Sequence, residues 1–257
     1  MPFFNSSFKS SLSGKTLIIP IVSTANVAQL CVDLLISSLE LVRIAALDSQ
    51  YFIPLVGCRE YGSPGITTPF ELYGKQGLDI VVLQQRSPTL KARKQEFIND
   101  LFDFVQESGI ASVLVLSGVD LSNRLDEQMI TPTYQLQPSA SISLSSTPLH
   151  RLNEFPIPKY TSPILPKSAI NDNEAQIPFI PGSGITRRML SSIPKQWTIP
   201  LAALLRFAMD GDNRADAYSL ASIVVQVIGK DLSEIEWKQP ESWNGLFGTP
   251  HDQSLYG

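Results

Sequence analysis

The chain has 257 residues, 43% of them hydrophobic, and a formal net charge of −4. That length can build one large core, or one core carrying a long insertion, and an acidic balance with no dense Lys/Arg cluster lacks the electrostatic footprint of a nucleic-acid binder. Two cysteines, Cys31 and Cys58, do not make a disulfide framework, no secretory signal is readable, and the most apolar window, 27–47, is interrupted by Asp33, Glu40 and Arg43, which argues against a membrane span. The expectation is a soluble chain in a reducing, cytoplasmic compartment, with the nucleus also open to it, and without nucleic-acid or membrane partners.

In chain order, Thr16-Leu-Ile-Ile-Pro-Ile-Val22 is a continuous apolar run of the kind a strand covered on both faces needs, and Pro20 puts a missing donor at its end or at a sheet edge. Val27, Leu30, Cys31, Leu34, Leu35 and Leu39 then recur at helical spacing, behind the N-cap candidates Ser23, Thr24 and Asn26. Strands are predicted over 43–47, 52–56, 71–73, 78–84 and 111–116, with a long amphipathic helix over 91–107. In that helix Lys91, Arg93 and Lys94 are answered by Glu96, Asp100 and Asp103, the pattern of a solvated face. Strand, helix, strand, with Ile80-Val-Val-Leu83 and Val113-Leu-Val-Leu116 as inner strands, suggests a right-handed parallel crossover and an α/β class.

From about 122 to 182, Ser, Thr, Pro, Asn and Gln dominate and helical periodicity is lost, apart from short extended pieces such as 131–136. The stretch 139–173 reads as a mobile low-complexity insertion, because a compact domain rarely needs so long a structureless connection. Order returns at Ile177-Pro-Phe-Ile-Pro-Gly182, followed by predicted helices over 186–192, 200–209 and 213–228, the last closed by Gly229. The organisation expected is one α/β domain over 1–229 and an extended C-terminal tail over 230–257.

Chemistry-bearing motifs are sparse. His150 falls in the insertion and His251 in the tail, so neither a general base nor a metal cluster assembles easily, and no catalytic residue, metal or cofactor is assigned. Leu116-Ser-Gly-Val-Asp120 places polar groups at a strand end but lacks the hydrolase elbow. Pro181-Gly-Ser-Gly-Ile-Thr186, with Arg187 and Arg188 close by, reads either as a tight turn feeding a helix or as an anion cradle, and matches no phosphate-loop spacing. Leu255-Tyr256-Gly257 reads as a frayed end or as a plug, in which a tyrosine ring buries apolar area and a carboxylate pairs with a cation at a pocket rim.

Several segments together resemble the proteasome assembly chaperone 2 family, in its fungal branch: 17–38, Pro54-Leu-Val-Gly57, Leu83-Gln-Gln-Arg-Ser87, Val113-Leu-Val-Leu-Ser117, Ile180-Pro-Gly-Ser-Gly-Ile-Thr186 and Leu204-Leu-Arg-Phe-Ala-Met-Asp-Gly-Asp-Asn213. The resemblance implies a three-layer α/β/α domain related to nucleoside phosphorylases, with no activity retained. It implies a heterodimer with proteasome assembly chaperone 1 that promotes formation of the α-subunit ring of the proteasome core particle. It also implies that Leu255, Tyr256 and Gly257 form a hydrophobic-Tyr-any-residue ending that docks between α subunits. A nucleoside phosphorylase-like or hydrolase-like enzyme, acting around 117–120 and 182–188, and a generic protein-binding scaffold stay open as alternatives.

Overall fold

The apolar runs of the sequence close into one seven-stranded mixed sheet, seen in a computed structural model that describes residues 12–162 and 177–245. Its elements in chain order are β1 (Thr16–Pro20), α1 (Val27–Ser38), β2 (Val42–Ala46), β3 (Gly57–Cys58), β4 (Ile66–Thr67), β5 (Phe70–Gly74), β6 (Ile80–Gln85), α2 (Lys94–Glu107), β7 (Ser112–Asp120), β8 (Thr133–Leu136), α3 (Thr186–Ser191), β9 (Leu201–Ala208) and α4 (Arg214–Val227). The large sheet runs β2-β5-β6-β1-β7-β9-β8, while β3 and β4 form a separate small hairpin. The middle pairings β6-β1-β7-β9 are parallel, and β2-β5, β5-β6 and β8-β9 are antiparallel.

Side chains alternate across the sheet and so build two cores. Leu17, Ile19, Val81, Val113, Val115, Ala203 and Leu205 meet α2 and α3 on one face, where Phe52, Phe70 and Phe97 pack with ring centroids 4.9 to 5.5 Å apart. Ile18, Val82, Leu114, Leu116, Ala202 and Leu204 meet α1 and α4 on the other. The result is three layers, helices on both sides of a sheet whose central strands are buried throughout. Strand β1 is central, and Pro20 ends it; the ladder continues through the Ile21 N–H to the Leu116 carbonyl. The strands β6 and β7 are parallel as expected of a crossover, with β1 lying between them.

Several expectations are corrected. Residues 200–209 are not a helix but the fully buried strand β9, paired with β7 over eight residues. Leu and Ala favour helices intrinsically, yet a continuous apolar run of this length fits a strand covered on both faces equally well, and here tertiary pairing decides. Residues 52–56 are not a strand: only Phe52 makes a bridge, to Thr89, and residues 53–56 are exposed. The described part of the 139–173 stretch is packed, with Leu144, Leu149 and Leu152 at 0–1% exposure beneath the α1/α4 layer and Tyr160 against the opposite core. Scattered single leucines between Ser and Thr anchor it where no period could reveal them. Residues 163–173 lie outside the described residues.

Of the tail, 230–245 likewise lies on the body. Trp237 meets Tyr218 edge-on at 5.7 Å, the Lys238 N–H donates to Ser38 Oγ at 3.0 Å, and Trp243 is buried. Residues 246–257 are not among those described.

Both edges of the sheet are guarded. The ladder of β2 slips between Arg43 and Ala45, a bulge in an edge strand. The outer side of β8 is occupied by the 158–160 segment, through the Gln135 N–H to the Pro158 carbonyl and the Tyr160 N–H to the Gln135 carbonyl.

Candidate functional site

The two strand-end motifs singled out in the sequence do come together. Thr186 Oγ1 donates to Ser117 Oγ at 2.8 Å, both fully buried, and the Asp120 N–H donates to the Pro181 carbonyl at 3.0 Å. The loop after β1 lies across both: the Gly118 N–H donates to Ser23 Oγ at 2.8 Å, and the Thr24 N–H and Oγ1 donate to the Gly182 carbonyl at 2.9 and 3.1 Å.

The glycines permit this close approach. Gly182 and Gly184 sit at φ +67° and +62°, and a Cβ there would overlap Thr24 Oγ1 and the Val22 carbonyl respectively; a Cβ at Gly118 would overlap the Thr24 carbonyl. The bound loop itself holds Ala25 and Asn26 at φ +61° and +52°, left-handed for residues with a Cβ. The junction between the β1, β7 and 180–184 ends is therefore occupied by this chain's own backbone on the Thr24 side. Arg187 and Arg188 are exposed on a helix of only six residues and, with Phe179, Gly182, Ser183 and Gly184, line a cavity of about 520 Å³ at the surface of this loop.

His150 is exposed, 3.8 Å from Glu154, and His251 lies outside the described residues. Among the described residues no group of three or more His, Cys, Asp and Glu could hold a metal ion, and no helix is long and apolar enough to cross a membrane. Cys31 is buried and free, its thiol pushed up by burial, while Cys58 is free and exposed on β3.

A different surface was not legible beforehand. Beside the β2–β5 edge lies a cavity of about 540 Å³ lined by Asp33, Arg43, Arg59, Glu60, Arg86 and Lys238 among others. Its floor is a charged lattice: Arg43 Nη1 meets Glu71 Oε1 at 2.7 Å, Tyr73 OH donates to Glu71 Oε2 at 2.7 Å, and Asp33 Oδ1 accepts from Gln84 Nε2 at 2.5 Å with Arg86 Nη1 at 3.4 Å. Burial, and then the Glu71 hydrogen bond, push the Tyr73 hydroxyl up to about 12. Burial also raises Asp33, against the pull of Arg86 and Gln84.

The outer wall is the β3–β4 hairpin and its flanks, held by Arg43 Nη1 to the Ile66 carbonyl at 3.0 Å and by Arg59 Nη1 to the Pro64 carbonyl at 3.2 Å. The tail root closes the rim, where the Ser242 N–H donates to Glu60 Oε2 at 3.0 Å. The signal for this hairpin was its punctuation, Pro54, Gly57, Pro64 and Gly65 around isolated apolar residues. Leu255, Tyr256 and Gly257, the predicted docking residues, lie outside the described residues.

Comparison with known proteins adds an independent line. The model of the PAC2 family matches residues 17–198. Proteasome assembly chaperone 2 of Bos taurus is 34% identical over 260 residues, covering 95% of this chain and 96% of the relative. The protein of the same name from Danio rerio is 30% identical over 257 residues, covering 93% and 94%. In fold, the chain is similar to Pyrococcus furiosus PbaA, described as an archaeal homolog of proteasome-assembly chaperone, with a TM-score of 0.61 at 16% identity over 86% of this chain and 84% of that one.

Proposed function

The chain belongs to the PAC2 family, and from that premise we propose that it is a proteasome assembly chaperone without catalytic activity. The observation that carries the reading is the near full-length similarity to proteasome assembly chaperone 2, which extends past the family core on both sides. A body without catalysis is supported by the strand-end junction being occupied on the Thr24 side by the loop after β1. The partner is proteasome assembly chaperone 1, as a heterodimer, and the client is the forming α-subunit ring of the proteasome core particle. Leu255, Tyr256 and Gly257 are the docking element: the first two bury apolar area, about 1–3 kcal/mol each, and the carboxylate pairs with a pocket cation. The free thiols Cys31 and Cys58 support a reducing, cytoplasmic location.

The test is co-expression with proteasome assembly chaperone 1 and capture of α-ring intermediates. Removing Leu255 to Gly257, or Tyr256→Ala, should leave the heterodimer intact and weaken ring capture. Adding one residue after Gly257 should do the same, whereas a scaffold that ignores the carboxylate would be indifferent. Unchanged ring capture by all three variants would refute the docking role.

A further inference from the structure

Exposed large apolar side chains cluster in two segments, 53–66 and 125–130, and of these the first adjoins the cavity beside β2. Among the described residues, Ile53, Leu55, Val56 and Ile66 are 47%, 39%, 72% and 54% exposed, four of twelve large apolar side chains left in water, all within fourteen residues of chain. They ride on the β3–β4 hairpin and its flank, outside the seven-stranded sheet. Residues 53–56 and 62–66 are exposed throughout, so these side chains contribute little to the body's own core. Surface of this kind marks an interaction site when it is contiguous and rimmed by polar groups.

The occupant is indicated by what adjoins it. The tail root is bonded to this same hairpin, through the Ser242 N–H on Glu60 Oε2, and Lys238 and Pro240 share the cavity wall with Arg59 and Ser63. From Gly245 to Leu255 is ten residues, a span of at most roughly 35 Å. A ring cleft that receives Leu255 to Gly257 therefore lies within that distance of Gly245, and the tail root just before it, at Lys238, Pro240 and Ser242, adjoins the hairpin. Arg59 adds a charge to the patch: it donates to the Pro64 carbonyl and makes no ion pair among the described residues. We propose that the 53–66 hairpin is a second contact with the α-subunit ring, in which Ile53, Leu55, Val56 and Ile66 are covered by apolar ring surface and Arg59 meets an acidic group.

The proposal rests on the tail reading for its partner, and the experiment separates the two. The full chain, co-expressed with proteasome assembly chaperone 1, carries Val56→Glu with Ile66→Glu in one variant and the milder Val56→Ser in another, each with and without residues 255–257. Both variants should melt like the parent and retain the heterodimer, because the changed side chains are exposed. Ring capture should fall about tenfold with the double change and less with Val56→Ser, and Arg59→Glu should lower it too. Unchanged capture with the double variant overturns the proposal, as does loss of the heterodimer, which would assign this face to the sister chaperone. If removing residues 255–257 has no effect while the hairpin variants still reduce capture, the tail reading fails and the hairpin contact stands.

Discussion

Gly182→Ala tests the strand-end joint. The new Cβ must occupy the left-handed region, at roughly 1–2 kcal/mol, and would overlap Thr24 Oγ1. Relief requires the Thr24 side chain to turn away or its loop to withdraw, giving up one or both hydrogen bonds to the Gly182 carbonyl at about 0.5–1.5 kcal/mol each. The sum is a loss of about 1.5–5 kcal/mol, measured by urea unfolding with the slope unchanged. Because the worst overlap is with the Thr24 side chain, Asp120 Cβ being a further tight neighbour at 3.2 Å, Thr24→Ala on the Gly182→Ala background should recover part of the loss, and the cycle should show positive coupling between the two sites. A Gly182→Ala variant within about 1 kcal/mol of the parent would mean the joint is open enough to admit a ligand, and the argument against an active crevice would fall with it.

Arg206 is buried on β9, with Nη2 at 2.6 Å from Asp216 Oδ1 and Nη1 on Thr133 and Ser219 hydroxyls, so Asp216→Asn should cost about 1.5–3 kcal/mol in urea unfolding, and a neutral result would show the pair to be idle. Because the folded-state pKa of Asp33 is raised, the folded chain binds the extra proton above the ordinary carboxylate range, and stability falls as pH rises through that window. Unfolding measured from pH 4 to 7 should show the parent losing stability relative to Asp33→Asn as pH increases; the opposite slope would refute the sign. Trp243→Ala should cost about 3 kcal/mol, at the low end for a buried ring since its Nε1 has no partner among the described residues, and should expose 230–245 to limited proteolysis. Unaltered cleavage kinetics would mean that the tail root is fixed by its other contacts.

How far the sequence could be read depends on whether periodicity had one meaning. Phe97, Leu101, Phe104 and Val105 at helical spacing, against Glu96 and Asp103, admit only an amphipathic helix, and α2 is one. Leu201–Ala208 is apolar in every direction except Arg206, so it presents no face, and a buried helix and a buried strand read alike until the partner β7 is known. The stretch 139–173 reads as an insertion because the anchors in its described part, Leu144, Leu149 and Leu152, follow no helix or strand period and gain meaning only against α4. At the strand ends both glycine motifs were legible as turns, but what they approach, the Thr24 loop, is a long-range fact. The hairpin surface was hidden for the opposite reason: Ile53 and Val56 look like core residues, and only the fold leaves them outside.

A chain that waits for its partners with bare isoleucine and valine in water courts runaway stacking, strand upon strand, into fibres. The slipped register of β2 and the 158–160 segment laid along β8 remove the two rails on which such growth would start. The apolar patch rides instead on strands of two residues each, too short to seed a growing ladder, so contact there turns on how side chains fit a shaped surface.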